Sequence, residues 1–168
     1  PDDFEELAKQ AQKYAVEKMI RQIKDSLGRF GVKFDEWFYE SSLVERNELK
    51  DVLNFLEFNN LSYEKDGALW FKASEFGLDQ DVVIRKSDGF TTYLLSDFAY
   101  ARNKERRKLS KMIYILGADH HGDIARIQAG LKALGLEKDK FVFLLMQLVT
   151  LLEKGETVRM SKREGIFV

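Results

Sequence analysis

The sequence predicts an α/β fold in its second half, preceded by a mixed α+β lobe. Three observations carry this. Met112-Ile113-Tyr114-Ile115-Leu116 is a continuous apolar run closing on Gly117, the pattern of a strand buried on both faces of a parallel sheet. A polar knot, Gly117 to Asp123, follows at once, and helical periodicity then runs to Leu134. Residues 1–86 hold helix, hairpin and short-strand patterns but no comparable run.

The first element is a helix over residues 3–27. Phe4, Leu7, Ala8, Ala11, Tyr14, Ala15, Ile20, Ile23 and Leu27 keep a helical period, and Gly28 supplies a stop. Val32 to Tyr39 reads as a strand with Val32, Phe34 and Phe38 on one face. Helix returns over 45–57 on the stripe Leu49, Val52, Leu53 and Leu56. Tyr63 to Phe71 reads as a hairpin turning at Asp66-Gly67, a two-residue signal that accommodates positive φ. Val82-Val83-Ile84 is a short apolar strand and Asp88-Gly89 a second turn. Thr91 to Leu95 leads into a helix around Ser96 to Lys104. After the 112–116 strand, a helix over about Asp123 to Leu134 stops at Gly135, and a further helix is predicted from near Asp139. Gln147 to Leu152 and Thr157 to Met160 read as a hairpin around Lys154-Gly155.

The 168 residues suffice for one domain or two small lobes. A formal net charge of −1 provides no global field for nucleic acid, so such contact needs local patches. Cysteine is absent, which excludes disulfides, thiol catalysis and Cys-type zinc sites and fits a reducing, cytoplasmic setting. The longest apolar run, Phe141 to Met146, falls far short of the ~20 residues of a membrane span. The sequon Asn60-Leu61-Ser62 is expected to be silent in such a setting. A chain opening on Pro1 and closing on Phe167-Val168 is expected to be an internal piece of a longer protein.

Four groups of residues could carry chemistry. Val158-Arg159-Met160-Ser161-Lys162-Arg163-Glu164-Gly165 is a basic loop beside a glycine. Lysine offers a mobile charge, serine a hydroxyl donor, and backbone near glycine can approach a polyphosphate; on composition alone it also reads as a solvated loop. Gly117-Ala118-Asp119-His120-His121-Gly122-Asp123 lies where ligands bind in open α/β sheets, at a strand's carboxyl end beside a helix start. Its histidines read as ligand-facing, as helix-capping, or with Asp119 as metal ligands, although adjacent histidines point differently on regular structure. Tyr93 and Asp97 share a helical face and could receive a planar cation by a carboxylate fork and a ring; a surface cap beside a core tyrosine is the plainer alternative. Arg102 to Lys111 holds six basic residues and one acid, a phosphate-contacting surface or a solvated charged segment.

Four stretches, taken together, resemble the arginyl-tRNA synthetases, a family of class I aminoacyl-tRNA synthetases, over nearly the whole chain. They are Phe34-Asp35-Glu36-Trp37-Phe38-Tyr39-Glu40-Ser41-Ser42-Leu43, Lys65-Asp66-Gly67-Ala68-Leu69-Trp70-Phe71, Arg85-Lys86-Ser87-Asp88-Gly89 leading to Tyr93-Leu94-Leu95-Ser96-Asp97-Phe98-Ala99-Tyr100, and Gly117-Ala118-Asp119-His120-His121-Gly122. Val158-Arg159-Met160-Ser161-Lys162-Arg163 is similar to the second class I signature, Lys-Met-Ser-Lys-Ser, with arginine at its first and last places. The resemblance implies the second half of a class I Rossmann-type nucleotide-binding fold over 87–168, preceded over 1–86 by a connecting insertion with its linking helix and hairpin. It implies ATP-dependent activation of L-arginine to arginyl-adenylate and transfer to tRNA(Arg), with Mg2+ accompanying ATP, no tightly bound cofactor, and no metal held by the protein.

By the same resemblance, Lys162 assisted by Ser161 would stabilise the departing pyrophosphate. Tyr93, Asp97 and His120 would receive arginine, and Gly117, Asp119, His121, Arg159, Met160 and Lys162 would contact ATP. A cytoplasmic protein, monomeric at full length, is expected. The first class I signature, His-x-Gly-His, is not found in these residues and is expected before Pro1, with a helical anticodon-binding domain after Val168. The isolated chain is therefore expected to be inactive. A metal-dependent phosphoesterase built on Asp119-His120-His121, and a non-catalytic synthetase-like binding module, are the alternatives.

Overall fold

Helix α1 (Asp2–Arg29) opens the computed structural model, which describes residues 2–147, 149–153 and 155–158. The helix runs one residue past the predicted stop at Gly28, to Arg29, and is closed by Gly31, whose φ is +75°. The Gly31 amide donates to the Gly28 carbonyl at 3.0 Å and the Val32 amide to the Leu27 carbonyl at 2.9 Å. This paired closure needs a left-handed residue, which glycine supplies without a Cβ clash. The predicted strand from Val32 to Tyr39 is absent. Among the described residues of the compact unit Pro1–Tyr39 no strand is available to pair with it, and a lone strand is not stable in water. Phe34 and Trp37 instead meet edge-on at 5.4 Å, and the Lys24 ammonium lies 4.9 Å from the Trp37 ring.

The second compact unit is Glu40–Val168. It begins with α2 (Ser41–Glu45) and α3 (Glu48–Phe58). The single helix predicted over 45–57 is divided by Asn47, at φ 57°, a left-handed conformation that asparagine tolerates. Strands β1 (Ser62–Lys65) and β2 (Ala68–Phe71) form the predicted hairpin. Asp66 and Gly67 turn it at φ 53° and 73°, both positive as a type I′ turn requires. Strand β3 (Val82–Arg85) joins β2 antiparallel, completing the sheet β1-β2-β3. The Asp88-Gly89 turn also forms, with Gly89 at φ 86° and the Phe90 amide donating to Asp88 Oδ1 at 3.0 Å.

Helix α4 (Tyr93–Arg106) starts three residues before the sequence predicts, so Tyr93 is its first residue. It is tied to α3 through Glu48, which is almost wholly buried. Asn103 Nδ2 donates to Glu48 Oε1 at 2.9 Å and Arg106 Nη1 to Oε2 at 3.3 Å. A carboxylate survives burial because both oxygens are served.

Strand β4 (Met112–Gly117), helix α5 (His121–Ala133) and strand β5 (Phe141–Met146) form a β-α-β unit with the two strands parallel, Met112 opposite Phe141 and Gly117 opposite Met146. Gly135, at φ 68°, closes α5 as predicted. The helix predicted from near Asp139 is not there: a single 3-10 turn, Lys138–Lys140, leads straight into β5. Short apolar runs do not distinguish helix from strand by period, and here the free edge of β4 decides. The expectation that β4 is buried on both faces is also corrected. Met112 and Tyr114 pack with Ala101, Ile127, Leu131 and Phe141, while Ile113 and Ile115 are exposed. Helices α4 and α5 cover one face of the pair only. The chain's last described element is the antiparallel hairpin of β6 (Leu151–Glu153) and β7 (Glu156–Val158), with Gly155 at φ 87° between them.

Helices α4 and α5 approach closely because Gly130 has no side chain. A Cβ there would collide with the Phe98 ring. Phe98 is itself fully buried and cannot swing into solvent. Gly130→Ala should therefore destabilise the fold by about 1–3 kcal/mol, the usual range for overpacking, read as a lower urea midpoint. An unchanged midpoint would show that α5 moves aside at no cost.

Candidate active site

Tyr93, Asp97, Tyr100 and Lys104 follow one another on α4 at intervals of four, three and four, which places them along one face of the helix. Tyr93 is exposed and lines a hollow of about 320 Å³ together with Glu40, Val44 and Thr91. Asp97, one turn further, is half-buried. Desolvation, then the charges of Asp123 and Glu40, push its carboxyl up to about 6, against the opposing pull of His120 and Lys104. Among the described residues no hydrogen bond or ion pair neutralises it. A partly desolvated carboxylate with two acids acting on it and, among the described residues, no bonded partner can take a cation. A planar guanidinium, which can take both oxygens at once, suits it best.

The loop after β4 faces this carboxylate. Gly117 ends the strand, and Ala118–His120 makes one 3-10 turn before α5 begins at His121. His120 Nδ1 lies 3.0 Å from Asp123 Oδ2, and its Nε2 lies 3.9 Å from Asp119 Oδ2. The hydrogen bond to Asp123, reinforced by Asp119, holds the imidazole above its ordinary value. The other oxygen of Asp123 accepts from Arg126 Nη1 at 3.0 Å. His121 diverges from its neighbour and lines a separate hollow with Gln128, Phe141 and Leu145. Among the described residues no three His, Asp or Glu side chains converge as metal ligands.

The structure thus brings His120 within electrostatic reach of Asp97, sets Asp119 against His120, places Tyr93 one turn from Asp97 on the same helix face, and sends His121 elsewhere. Arg159, Met160, Ser161 and Lys162 lie outside the described residues. Three residues acting on Asp97 are not singled out individually by the sequence: Glu40, and Asp123 and Lys104, which it places only within the polar knot and the basic segment. Lys104 carries a readable signal, the helical spacing from Asp97 through Tyr100. Glu40 has none, since its approach depends on the packing of α2 and α3 against α4. A groove of about 530 Å³ nearby is lined by Trp70, Asp79, Leu94, Gly122 and Arg126 but touches neither Asp97 nor His120.

The family described as tRNA synthetases class I (R), catalytic domain, matches residues 2–168. The chain belongs to this family. Among its relatives is an arginine–tRNA ligase of Acetivibrio thermocellus, 46% identical over 97% of this chain and 29% of that protein. Another is an arginine–tRNA ligase of Aquifex aeolicus, 45% identical over 92% of this chain and 27% of that protein. The chain therefore spans under a third of the length of the relatives it matches. Among solved structures, a Campylobacter jejuni protein assigned as an arginyl-tRNA synthetase superposes with a TM-score of 0.77 at 36% identity, covering 88% of this chain and 32% of that one. The arginyl-tRNA synthetase of Plasmodium falciparum shares the fold, with a TM-score of 0.71 over 83% of this chain and 24% of that one, at 17% identity. Membership of the family replaces the metal-dependent phosphoesterase alternative, and the chain is α/β in content as a class I catalytic domain should be.

The raised carboxyl of Asp97 has a consequence for stability. A carboxyl whose folded value lies above its unfolded one favours the fold at low pH, and that contribution is lost as pH rises through about 6. At neutral pH the ionised group is a liability. Asp97→Asn should raise stability at pH 7 by ~1–2 kcal/mol, after discounting for the water that still reaches the group, and the gain should vanish below the ordinary carboxylate value near pH 4. Urea unfolding across that range checks the sign; a destabilised variant at pH 7 would mean that Asp97 is bonded in the fold.

Proposed function

We propose that the full-length protein is an arginine–tRNA ligase, activating L-arginine with ATP and passing the arginyl group to tRNA(Arg). The single observation that favours this most is the half-buried, unneutralised carboxylate of Asp97 beside the strand-end loop. A guanidinium is the natural partner for it, and the relatives are named as arginine–tRNA ligases.

In this reading Asp97 takes the guanidinium in a two-point fork, Tyr93 stacks on it or hydrogen-bonds to it, and His120 lines the pocket. A carboxylate oxygen of arginine attacks the α-phosphorus of ATP. The new P–O bond forms as the bond to pyrophosphate breaks, which leaves arginyl-adenylate. A hydroxyl of the terminal tRNA ribose then attacks the arginyl carbonyl and AMP departs. Gly117, Asp119 and His121 are assigned to ATP, with Arg159 and Met160 from the basic loop. Lys162, assisted by Ser161, is assigned to the pyrophosphate, where negative charge builds during the first step. A lysine carried there by a loop favours the transition state over the ground state. Mg2+ arrives with ATP. Residues 87–168 would form the second half of a Rossmann-type fold and residues 1–86 the connecting insertion with its linking elements. A cytoplasmic, monomeric protein without membrane attachment completes the proposal; no described helix is long and apolar enough to cross a membrane.

The test is arginine-dependent exchange of pyrophosphate into ATP by the full-length protein, supplied with its tRNA. Asp97→Asn keeps the shape but removes the charge. It should lower kcat/KM for arginine by about 100-fold or more, the loss of one charge-assisted pair in a desolvated site, with KM for ATP nearly unchanged. Wild-type arginine kinetics in that variant would remove Asp97 from the substrate site and the proposal's main support with it.

A further inference from the structure

Lys104 occupies an unusual place for a lysine. It stands two helical turns beyond Asp97 on α4, and helical side chains lean toward the N-terminus, so its stem runs back over Tyr100. Its Nζ lies 3.6 Å from the centroid of the Tyr114 ring and 4.3 Å from that of Tyr100. The ammonium therefore rests between two aromatic faces, with no ion pair to a carboxylate among the described residues. The Tyr114 hydroxyl behind it is buried and, among the described residues, has no hydrogen-bond partner.

Holding a charge in such a place is costly. Burial and the neighbouring Arg107 bring the ammonium down to about 8, while Asp97 works to keep it charged. A methionine or leucine would fill the same space between the rings without that cost. The two tyrosine faces repay only part of it. The charge therefore has a use other than packing: Lys104 and Asp97 lie along one face of α4 and act electrostatically on each other, and Tyr114 is also within reach of Asp97.

We propose that Lys104, held between Tyr100 and Tyr114 on the same helix face as Asp97, is a positioning residue for arginine recognition that acts through the Asp97 carboxylate. This rests on the reading of Asp97 as the guanidinium receptor. Asp97 is faced by Asp123 from α5, Glu40 ahead of α2, His120 from the turn after β4, Tyr114 from β4 and Lys104 on its own helix. The two acids favour its protonated form, which cannot accept a fork of two N–H bonds. His120 and Lys104 favour the carboxylate. Lys104 does so without an ion pair among the described residues, so it leaves both oxygens to the substrate. Between about 6 and about 8 Asp97 and Lys104 both carry charge, which spans neutral pH.

The sign of the effect is fixed. Neutralising Lys104 raises Asp97 further, so arginine recognition should fail at a higher pH than in the wild type. The experiment is the pH profile of kcat/KM for arginine in pyrophosphate exchange by the full-length protein, for wild type, Lys104→Met, Lys104→Gln, Lys104→Arg and Asp97→Asn. In both neutral variants the acid limb should move up by about half a pH unit, a roughly threefold rise in KM for arginine on that limb, with KM approaching wild type in alkali. Lys104→Arg should restore the limb, and KM for ATP should hold throughout. A uniform loss of kcat with the limb in place, or failure of both neutral variants to fold, would make Lys104 purely structural and overturn the proposal. Asp97→Asn separates the two layers. Wild-type arginine kinetics there would refute the guanidinium reading itself, whereas an Asp97-dependent limb that ignores Lys104 would refute only its role.

Discussion

The seat of the Phe98 ring against Gly130 fixes most of what matters in the second unit. Because α5 has no side chain at that point, α4 lies close enough for Phe98 to fill the space, and the two helices cannot separate without opening a cavity. Asp97 is the residue beside Phe98 on α4. When the ring enters the core, the carboxylate is drawn to the rim, within electrostatic reach of Asp123 at the start of α5 and of His120 just before it. The βαβ connection carries the same constraint to the sheet: α5 is held by β4 and β5, so the loop after β4 has one position relative to α4. A packing contact thus sets the place of an electrostatic one.

Three acids of this unit show why Asp97 stands apart. Glu48 is the most buried, yet Asn103 and Arg106 serve both of its oxygens, and it joins α3 to α4. Asp81 accepts from the Ser74 hydroxyl at 2.6 Å, the Ser74 amide at 3.0 Å and the Tyr63 hydroxyl at 3.0 Å, and these bonds, the Ser74 hydroxyl first, hold it below the ordinary carboxylate range. Asp97 is half-buried, flanked by Glu40 and Asp123, and bonded to nothing among the described residues. Folding gains from the bonds to Asp81 and loses from the burial of Asp97. Groups held against stability in this way are candidates for sites where a ligand supplies the missing partner.

Much of this was legible in the sequence, for definite reasons. Asp66-Gly67 and Gly135 were readable because positive φ is a local demand that few residues meet. The strand at 112–116 was readable from its run of apolar residues, and Tyr93 and Asp97 from their helical spacing. What failed depended on distant partners. Val32 to Tyr39 has strand composition but, among the described residues of its unit, no strand to pair with, and Phe141 to Met146 has no period of its own until β4 supplies an edge. Exposure of Ile113 and Ile115 is likewise a fact about neighbours rather than about the run. At the site, Lys104 and Tyr100 were written into the α4 spacing. Glu40 and Asp123 reach Asp97 only through tertiary packing, which one-dimensional spacing does not carry.

In the proposed reading, a charged fork on the substrate, and not merely its shape, completes Asp97. Calorimetric titration of the full-length protein with arginine and with citrulline tests it most directly, because citrulline keeps the length and planar end but replaces the cation with a neutral urea. Arginine should bind at least ~100-fold more tightly, since citrulline leaves the carboxylate desolvated and its charge unanswered. Equal affinities for the two would contradict the account, because the site would then be reading shape without charge.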